Sequence, residues 1–371
     1  MPGSTPPSID RKSWLAGEKI QRGILQSLLW ILPLLFLVVF FFVPLGAIFR
    51  LAGVAAIKEG LDPAVLSRVW RPLGFTIFQA VLSTLLTLII GLPAAYVFGR
   101  FQFPGKGLLR VLTTLPFILP TVVVAASFNA LLGPRGWANL LLMGALGLEN
   151  PPVNILNTLA AILLGHVFYN TAIVIRVVGG AWEQLDPRLE QAARMLGASS
   201  LRAFFTVTLP LLRPALLAAL LLVFMFDFTS FGVVLLLGGP RFATIEVEIY
   251  IQALQMLNLP LSGLLSSIQL LFTFLLTGAY SFFSQKRITQ LSPRTKGEGL
   301  RRVNTWRERV LVGATLLILF FLLIAPLAAL SVRSITRLDP DRGERGAVSP
   351  QLTLNYYAEL FVNRRQSLFY V

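Results

Sequence analysis

From Leu28 to Phe49 the chain runs for 22 residues without one charged or strongly polar side chain. A helix of that length spans the roughly 30 Å hydrocarbon core of a bilayer, which needs about 20 apolar residues. Comparable stretches recur at Gly74–Phe98, Leu108–Leu132 (with Arg110 near its start), Leu156–Val178, Pro214–Leu237, Leu261–Phe283 and Val310–Val332. The expected fold class is therefore all-α, a polytopic transmembrane helical bundle with seven spans in this chain. Composition agrees. Only 13% of residues are charged, about half of the roughly 25% that a water-facing domain carries, which excludes a soluble enzyme, a disordered regulator and a secreted disulfide scaffold. The chain has no cysteine and one histidine, His166, so neither a zinc–thiolate site nor a multi-histidine metal site is expected. No metal and no cofactor is called for.

The net charge of +15 is distributed by loop rather than gathered on one face, which argues against nucleic acid and for charge-directed insertion. With the N-terminus in the cytoplasm, twenty Lys and Arg fall on the inner side and six on the outer side before residue 310. The residues before Leu28 carry Arg11, Lys12, Lys19 and Arg22. The apolar run that follows is too long for a signal-peptide core, so it reads as an uncleaved anchor in the cell (inner) membrane. Residues 1–27 form a cytoplasmic segment, 28–283 a six-span unit and 284–309 a basic cytoplasmic linker.

The first span ends Val43-Pro44-Leu45-Gly46-Ala47-Ile48, and the seventh ends Ala325-Pro326-Leu327-Ala328-Ala329-Leu330, 282 residues later. A repeated helical unit is a known transporter architecture. Residues 310–371 are accordingly expected to be the start of a second, truncated repeat.

The inner loop 179–213, between spans four and five, differs from the other loops. Asp186 caps a short helix with Pro187 at its first position, Gly197 ends that helix, and Pro210 stops a second short helix begun at Ser199. Leu201, Phe204 and Phe205 cluster on it. Such an element suits a helix-in-groove contact with a partner protein, or an interfacial helix on the membrane. The stretch Ala192-Ala193-x₃-Gly197-x₉-Val207-x-Leu209-Pro210 resembles the EAA loop of binding-protein-dependent ABC importer permeases, whose short helix docks on the ATPase subunit. The family's glutamate position is Gln191 here, with Glu190 beside it. The resemblance assigns coupling to Glu190, Gln191, Ala192, Ala193, Gly197, Ala198, Val207, Leu209 and Pro210.

Three further stretches widen the likeness to the thiamine and ferric-iron importer permeases: Phe103-Pro104-Gly105-Lys106-Gly107, Gly165 to Asn170, and Phe228 to Gly232 continuing through Leu237-Gly238-Gly239-Pro240-Arg241 to Tyr250. The last of these leans toward thiamine. The resemblance implies a type I importer fold. It also implies four partners: cytoplasmic ABC ATPase subunits, an extracytoplasmic solute-binding protein, a second permease half (fused or separate) and the lipid membrane. The chain itself is expected to be no enzyme. The glycines from Gly99 to Gly107 lack the spacing and the terminal hydroxyl of a phosphate loop, and they follow a transmembrane helix rather than a strand.

Ionisable residues at membrane depth mark functional sites by default. His166 and Asp227 fall in one layer of spans four and five, with Asn170 and Ser230 nearby. Two readings stand: a brace between the spans, or a solute pathway in which Asp227 attracts a cation. Glu246 and Glu248 in the outer loop are expected to face either the binding protein or solvent. An alternative from another class is a self-sufficient secondary transporter or channel with Asp227 and His166 as an ion relay.

Overall fold

The computed structural model describes residues 29–58, 63–239, 241–285, 300–337 and 351–361. The expected N-terminal segment 1–27 and most of the linker 284–309 lie outside these residues. Helix α1 (Leu29–Ala55) is apolar all round and exposed over its most apolar stretch, as a lipid-facing helix must be. Next come α2 (Pro63–Arg100), the strand β1 (Phe101–Gln102), α3 (Lys106–Leu112), α4 (Thr121–Leu132), α5 (Trp137–Leu146) and α6 (Leu159–Gln184). Beyond these lie α7 (Pro187–Met195), α8 (Ser200–Phe228), α9 (Ile245–Tyr250), α10 (Leu259–Gln285), β2 (Arg301–Arg302) and α11 (Trp306–Arg333). Among the described residues, six helices are long and apolar enough to cross a membrane.

The third expected span, Leu108–Leu132, is not one rod. It breaks at Leu119-Pro120, where the two halves meet at 111°. Pro120 has no N–H and forces the residue before it out of the helical region, and Leu119 accordingly has ψ 132°. The stretch between the first two expected spans is largely helical, since α1 and α2 run into it, and α5 lies beyond the third.

The framework is the parallel pair α2 and α6, in register from Ser83 beside His166 down to Gly99 beside Trp182. Gly91, Ala95 and Gly99 recur every fourth residue on α2 and let the two backbones close up. A Cβ at Gly91 would lie 2.7 Å from the Val174 side chain, and one at Gly99 2.7 Å from Trp182 Cβ. In lipid, helices associate by such close packing because burial of apolar surface supplies no drive. Helix α8 crosses both members of the pair, α10 packs on α8, and α1 lies against α10 with Leu51 over Gly263. Helix α11 enters the same core: Val312, Leu319, Leu322 and Leu323 pack with Val124, Phe128 and Phe168.

Helix α8 corrects the expectation that Pro210 ends a short helix. The chain stays helical from Ser200 to Phe228, straight through Pro210 and Pro214. A widened π turn, Phe204–Thr208, precedes Pro210, and the Leu209 N–H reaches back five residues to the Phe204 carbonyl. That extra residue in the turn makes room for a ring that would otherwise clash with the preceding turn. The same helix ends at Phe228 rather than Leu237, so Asp227 sits in its last turn instead of mid-span.

Candidate functional site

Two places hold the residues singled out in the sequence. The first is the loop joining α6 to α8. The Asp186 carboxylate accepts the Arg188 N–H at 2.9 Å, and Pro187 follows at the first helical position of α7. The far end closes with a two-bond turn: Gly197 N–H donates to the Arg194 carbonyl (3.0 Å) and Ala198 N–H to Ala193 (3.1 Å). Gly197 has φ +91°, a left-handed conformation that glycine adopts without a Cβ penalty. Ser199 then caps α8 by accepting the Arg202 N–H.

What this loop presents outward is apolar. Met195 is 88% exposed, Leu196 90%, Leu201 72% and Phe205 55%. Phe204 keeps its edge contact with Phe205 and also stacks on Trp182 of α6. Gln191, Ala192 and Gly197 are exposed, while Ala193, Ala198, Val207 and Leu209 are half-buried. Glu190, not Gln191, supplies the anchoring carboxylate. Arg100, the last residue of α2, donates to it at 2.9 Å, and the Thr208 hydroxyl lies 3.5 Å away. Arg110 of α3 pairs with Glu183 at 3.0 Å. A cavity of about 380 Å3 opens between the loop and β2, lined by Tyr96, Arg100, Arg188, Glu190 and Arg301 among others.

The second place lies within the membrane. His166, Asn170, Asp227 and Ser230, singled out from spans four and five, meet in one hydrogen-bonded cluster. Asn170 Nδ2 donates to Asp227 Oδ1 at 2.6 Å. His166 Nε2 is 2.8 Å from Ser230 Oγ, and its Nδ1 is 2.9 Å from Ser83 Oγ and 3.5 Å from Asp227 Oδ1. A neutral imidazole satisfies both hydroxyls as one donor and one acceptor. Asp227 is fully buried, and His166 and Asn170 are nearly so.

Sequence reasoning missed the third contributor, α2. Gln79 Nε2 donates to the Asp227 carbonyl at 2.7 Å, and Thr84 Oγ1 lies 3.5 Å from Asp227 Oδ2. Thr76, Gln79, Ser83, Thr84 and Thr87 are all buried. Their spacing of i, i+3, i+7, i+8 and i+11 draws one polar stripe along an apolar helix, and that was the available signal. At about 1.5 Å per residue, Ser83 lies roughly 26 Å above Arg100 and His166 roughly 27 Å above Gln184, so the cluster sits toward the face opposite the α7 loop.

Closer to that face, Glu246 Oε1 accepts from Gln269 Nε2 at 3.1 Å, and Glu248 Oε1 accepts from Gln252 at 2.7 Å. Burial pushes the Glu246 carboxyl up to about 7, against the opposing pull of the Gln269 bond. No group of three or more His, Asp and Glu able to hold a metal ion occurs among the described residues.

Comparison with known proteins places this architecture. Residues 88–292 match the family model described as "Binding-protein-dependent transport system inner membrane component". The thiamine transport system permease protein ThiP of Brucella abortus (strain 2308) is 32% identical over 333 residues, covering 85% of this chain and 59% of that protein. The probable sulfate transport system permease protein cysT of Prototheca wickerhamii is 31% identical over 250 residues, covering 66% of this chain and 95% of that one. The spermidine/putrescine transport system permease protein PotB of Haemophilus influenzae is 33% identical over 180 residues, 48% of this chain and 61% of that one. This chain thus spans 59% of the length of the thiamine relative it matches. Among solved structures, a bacterial ABC transporter involved in alginate import shares the fold, with a TM-score of 0.57 at 18% identity over 73% of this chain and 98% of that one. The chain belongs to the family of binding-protein-dependent inner-membrane transport components, the permeases of ABC importers.

Proposed function

We propose that this chain forms the membrane pathway of an ATP-driven importer, with the α6–α8 loop in the cytoplasm receiving the ATPase subunit and thiamine as the solute. The observation that carries the coupling role is the loop's construction. Four large apolar side chains (Met195, Leu196, Leu201 and Phe205) are exposed on a capped helix-turn-helix. Its base is tied to α2 by the Arg100–Glu190 bridge and to α6 by the Phe204–Trp182 stack. A firm base under an apolar tip suits docking in a groove of a partner and passing its motion to the spans. Excess basic residues on the same side support a cytoplasmic loop and a cytoplasmic N-terminus.

Thiamine is supported by the relatives named for it, from Brucella abortus and Haemophilus influenzae, which match 85% and 81% of this chain. An external binding protein and a second permease half complete the assembly. The layout we propose for this chain is a unit at 28–283, a linker at 284–309 and a second unit beginning at 310. Its support is the matching end of the first and last spans, Pro44-Leu45-Gly46-Ala47 and Pro326-Leu327-Ala328-Ala329. We read His166, Asn170, Asp227 and Ser230 as a brace between α2, α6 and α8 rather than a solute contact; the burial of His166, Asn170 and Asp227 supports this.

The test is Gly197→Pro. Proline holds φ near −65° and lacks the N–H that Gly197 donates, so the turn at the tip is lost while the spans are untouched. Membrane insertion should stay normal, whereas co-purification with the cognate ATPase and ATP-dependent thiamine uptake should both fall to background. Full binding and uptake by this variant would overturn the coupling role. Uptake of sulfate or spermidine in place of thiamine would overturn the solute assignment alone.

A further inference from the structure

A groove of about 620 Å3 lies where β2 and the first turns of α11 meet the 102–104 segment. It belongs neither to the α6–α8 loop nor to the intramembrane cluster. Phe103, Val303, Val312 and Leu316 form its apolar walls, and Arg302 and Arg309 stand among its lining residues.

The sequence creates the space. Strands β1 and β2 pair in parallel, Phe101 with Arg301 and Gln102 with Arg302, which sets Phe103 opposite α11. Gly313 then leaves a gap in the helix surface, since a Cβ built there meets nothing within 4 Å. A mid-helix glycine costs about 0.5–1 kcal/mol relative to alanine, so the gap is kept against local helix preference.

Depth and charge identify the occupant. Trp306, the first residue of α11, is 76% exposed, as suits a residue at the headgroup level of a membrane helix. From Trp306 to Leu316 the helix descends about 15 Å, half the hydrocarbon thickness. The groove therefore starts among headgroups and ends among acyl chains.

Arg301 is already engaged, 3.0 Å from Glu308 and over the Phe101 ring. Arg302 and Arg309 make no ion pair among the described residues, and none of the residues lining the groove is acidic. Two unpaired guanidiniums above an apolar slot complement a phosphate carried on an acyl chain.

We propose that this groove binds one anionic phospholipid, its acyl chain in the slot and its phosphate between Arg302 and Arg309. The experiment is native mass spectrometry of the full detergent-solubilised chain titrated with phosphatidylglycerol or with phosphatidylcholine of the same chains. Phosphatidylglycerol should be retained at least tenfold more tightly.

Arg302→Gln with Arg309→Gln should weaken phosphatidylglycerol about 30-fold, at roughly a fivefold loss per arginine, and leave phosphatidylcholine unchanged. Gly313→Trp fills the slot without touching either charge and should lower retention of phosphatidylglycerol as well. Gly313→Leu provides the same test with a smaller side chain should the tryptophan disturb folding. Free glycerol phosphate, which has no chain, should fail to compete. Equal retention of the two lipids, phosphatidylglycerol binding indifferent to the arginine and glycine variants, or full competition by glycerol phosphate would each overturn the proposal.

Discussion

Replacing Asp227 separates charge from hydrogen bonding in the intramembrane cluster. In Asp227→Asn the side chain keeps its shape, and the new carbonyl still accepts Asn170 Nδ2, which donates to Asp227 Oδ1 at 2.6 Å. The new amide nitrogen takes the place of Oδ2, 3.5 Å from Thr84 Oγ1. That hydroxyl gives its proton to the Ala80 carbonyl at 2.7 Å, so it has a lone pair free to accept. Every bond survives, and a fully buried group able to ionise is gone. Breaking a buried network is costly, but exchanging one hydrogen-bonding group for another with the bonds intact is neutral or favourable.

Asp227→Leu is the contrast. It strands the Asn170 amide, a loss of about 1–3 kcal/mol for an orphaned buried donor. Gln79 is unaffected in both variants, because it donates to the backbone carbonyl of Asp227. For a chain of this size each kcal/mol moves the midpoint by roughly 1–2 °C. The leucine variant should therefore melt about 1–5 °C below wild type, with the asparagine variant at or above wild type. The assay is thermal unfolding of the purified chain followed by tryptophan fluorescence.

If Asp227→Asn is as unstable as Asp227→Leu, the cluster depends on a formal charge and His166 carries the opposite one, which refutes the neutral brace. A stable Asp227→Asn chain that loses uptake would instead make Asp227 a solute contact.

Two further outcomes are expected. Gly99→Val should destabilise the α2–α6 seam by about 1–3 kcal/mol, since its Cβ would fall 2.7 Å from Trp182 Cβ and 2.9 Å from the Gly179 carbonyl; Gly278→Ala, which meets nothing within 4 Å, should be neutral or slightly stabilising in the same melt. Glu246 has a carboxyl raised from 4.5 to about 7 by burial. Its protonated form is favoured in the folded state, so the stability it contributes is full below about pH 4.5 and is lost as pH rises through 7. Wild type should lose roughly 1–2 kcal/mol relative to Glu246→Gln between pH 5 and 8, after allowing for solvent screening at a partly exposed site. Parallel pH curves for the two chains would contradict that assignment.

The loop was legible because its signals are local. Asp186 with Pro187, Gly197 and Ser199 each act on the backbone within a few residues, and all three sit where those signals put them. The intramembrane cluster was half legible. Charged and imidazole side chains stand out in an apolar span, so His166 and Asp227 were visible, whereas Ser83 and Thr84 are ordinary in membrane helices and give themselves away only by sharing a face of α2. Gln79, with its carbonyl oxygen buried and unpartnered, was the strongest sign on that helix and lay in plain sight. The Arg100–Glu190 bridge joins residues 90 apart, and no local rule reaches that far.

Pro210 is the proline that local reasoning misread, and the misreading has a physical cause. It read as a stop, yet among the described residues three helices pass through a proline by one device, while Pro72 and Pro93 lie inside α2 without it. The residue just before Pro44, Pro210 and Pro326 donates its N–H five residues back: Val43 to Val38, Leu209 to Phe204 and Ala325 to Phe320. In water the carbonyls that proline leaves unpaired would simply be solvated and the helix would end. In hydrocarbon there is no such partner, so widening the turn and continuing is cheaper than stopping. Pro120 breaks its helix instead. Leu119 before it has turned to extended geometry, and its carbonyl is 3.4 Å from the Tyr169 hydroxyl of α6, which stands in for water. The break is thus tolerated where a neighbouring helix offers a donor to the carbonyl it exposes.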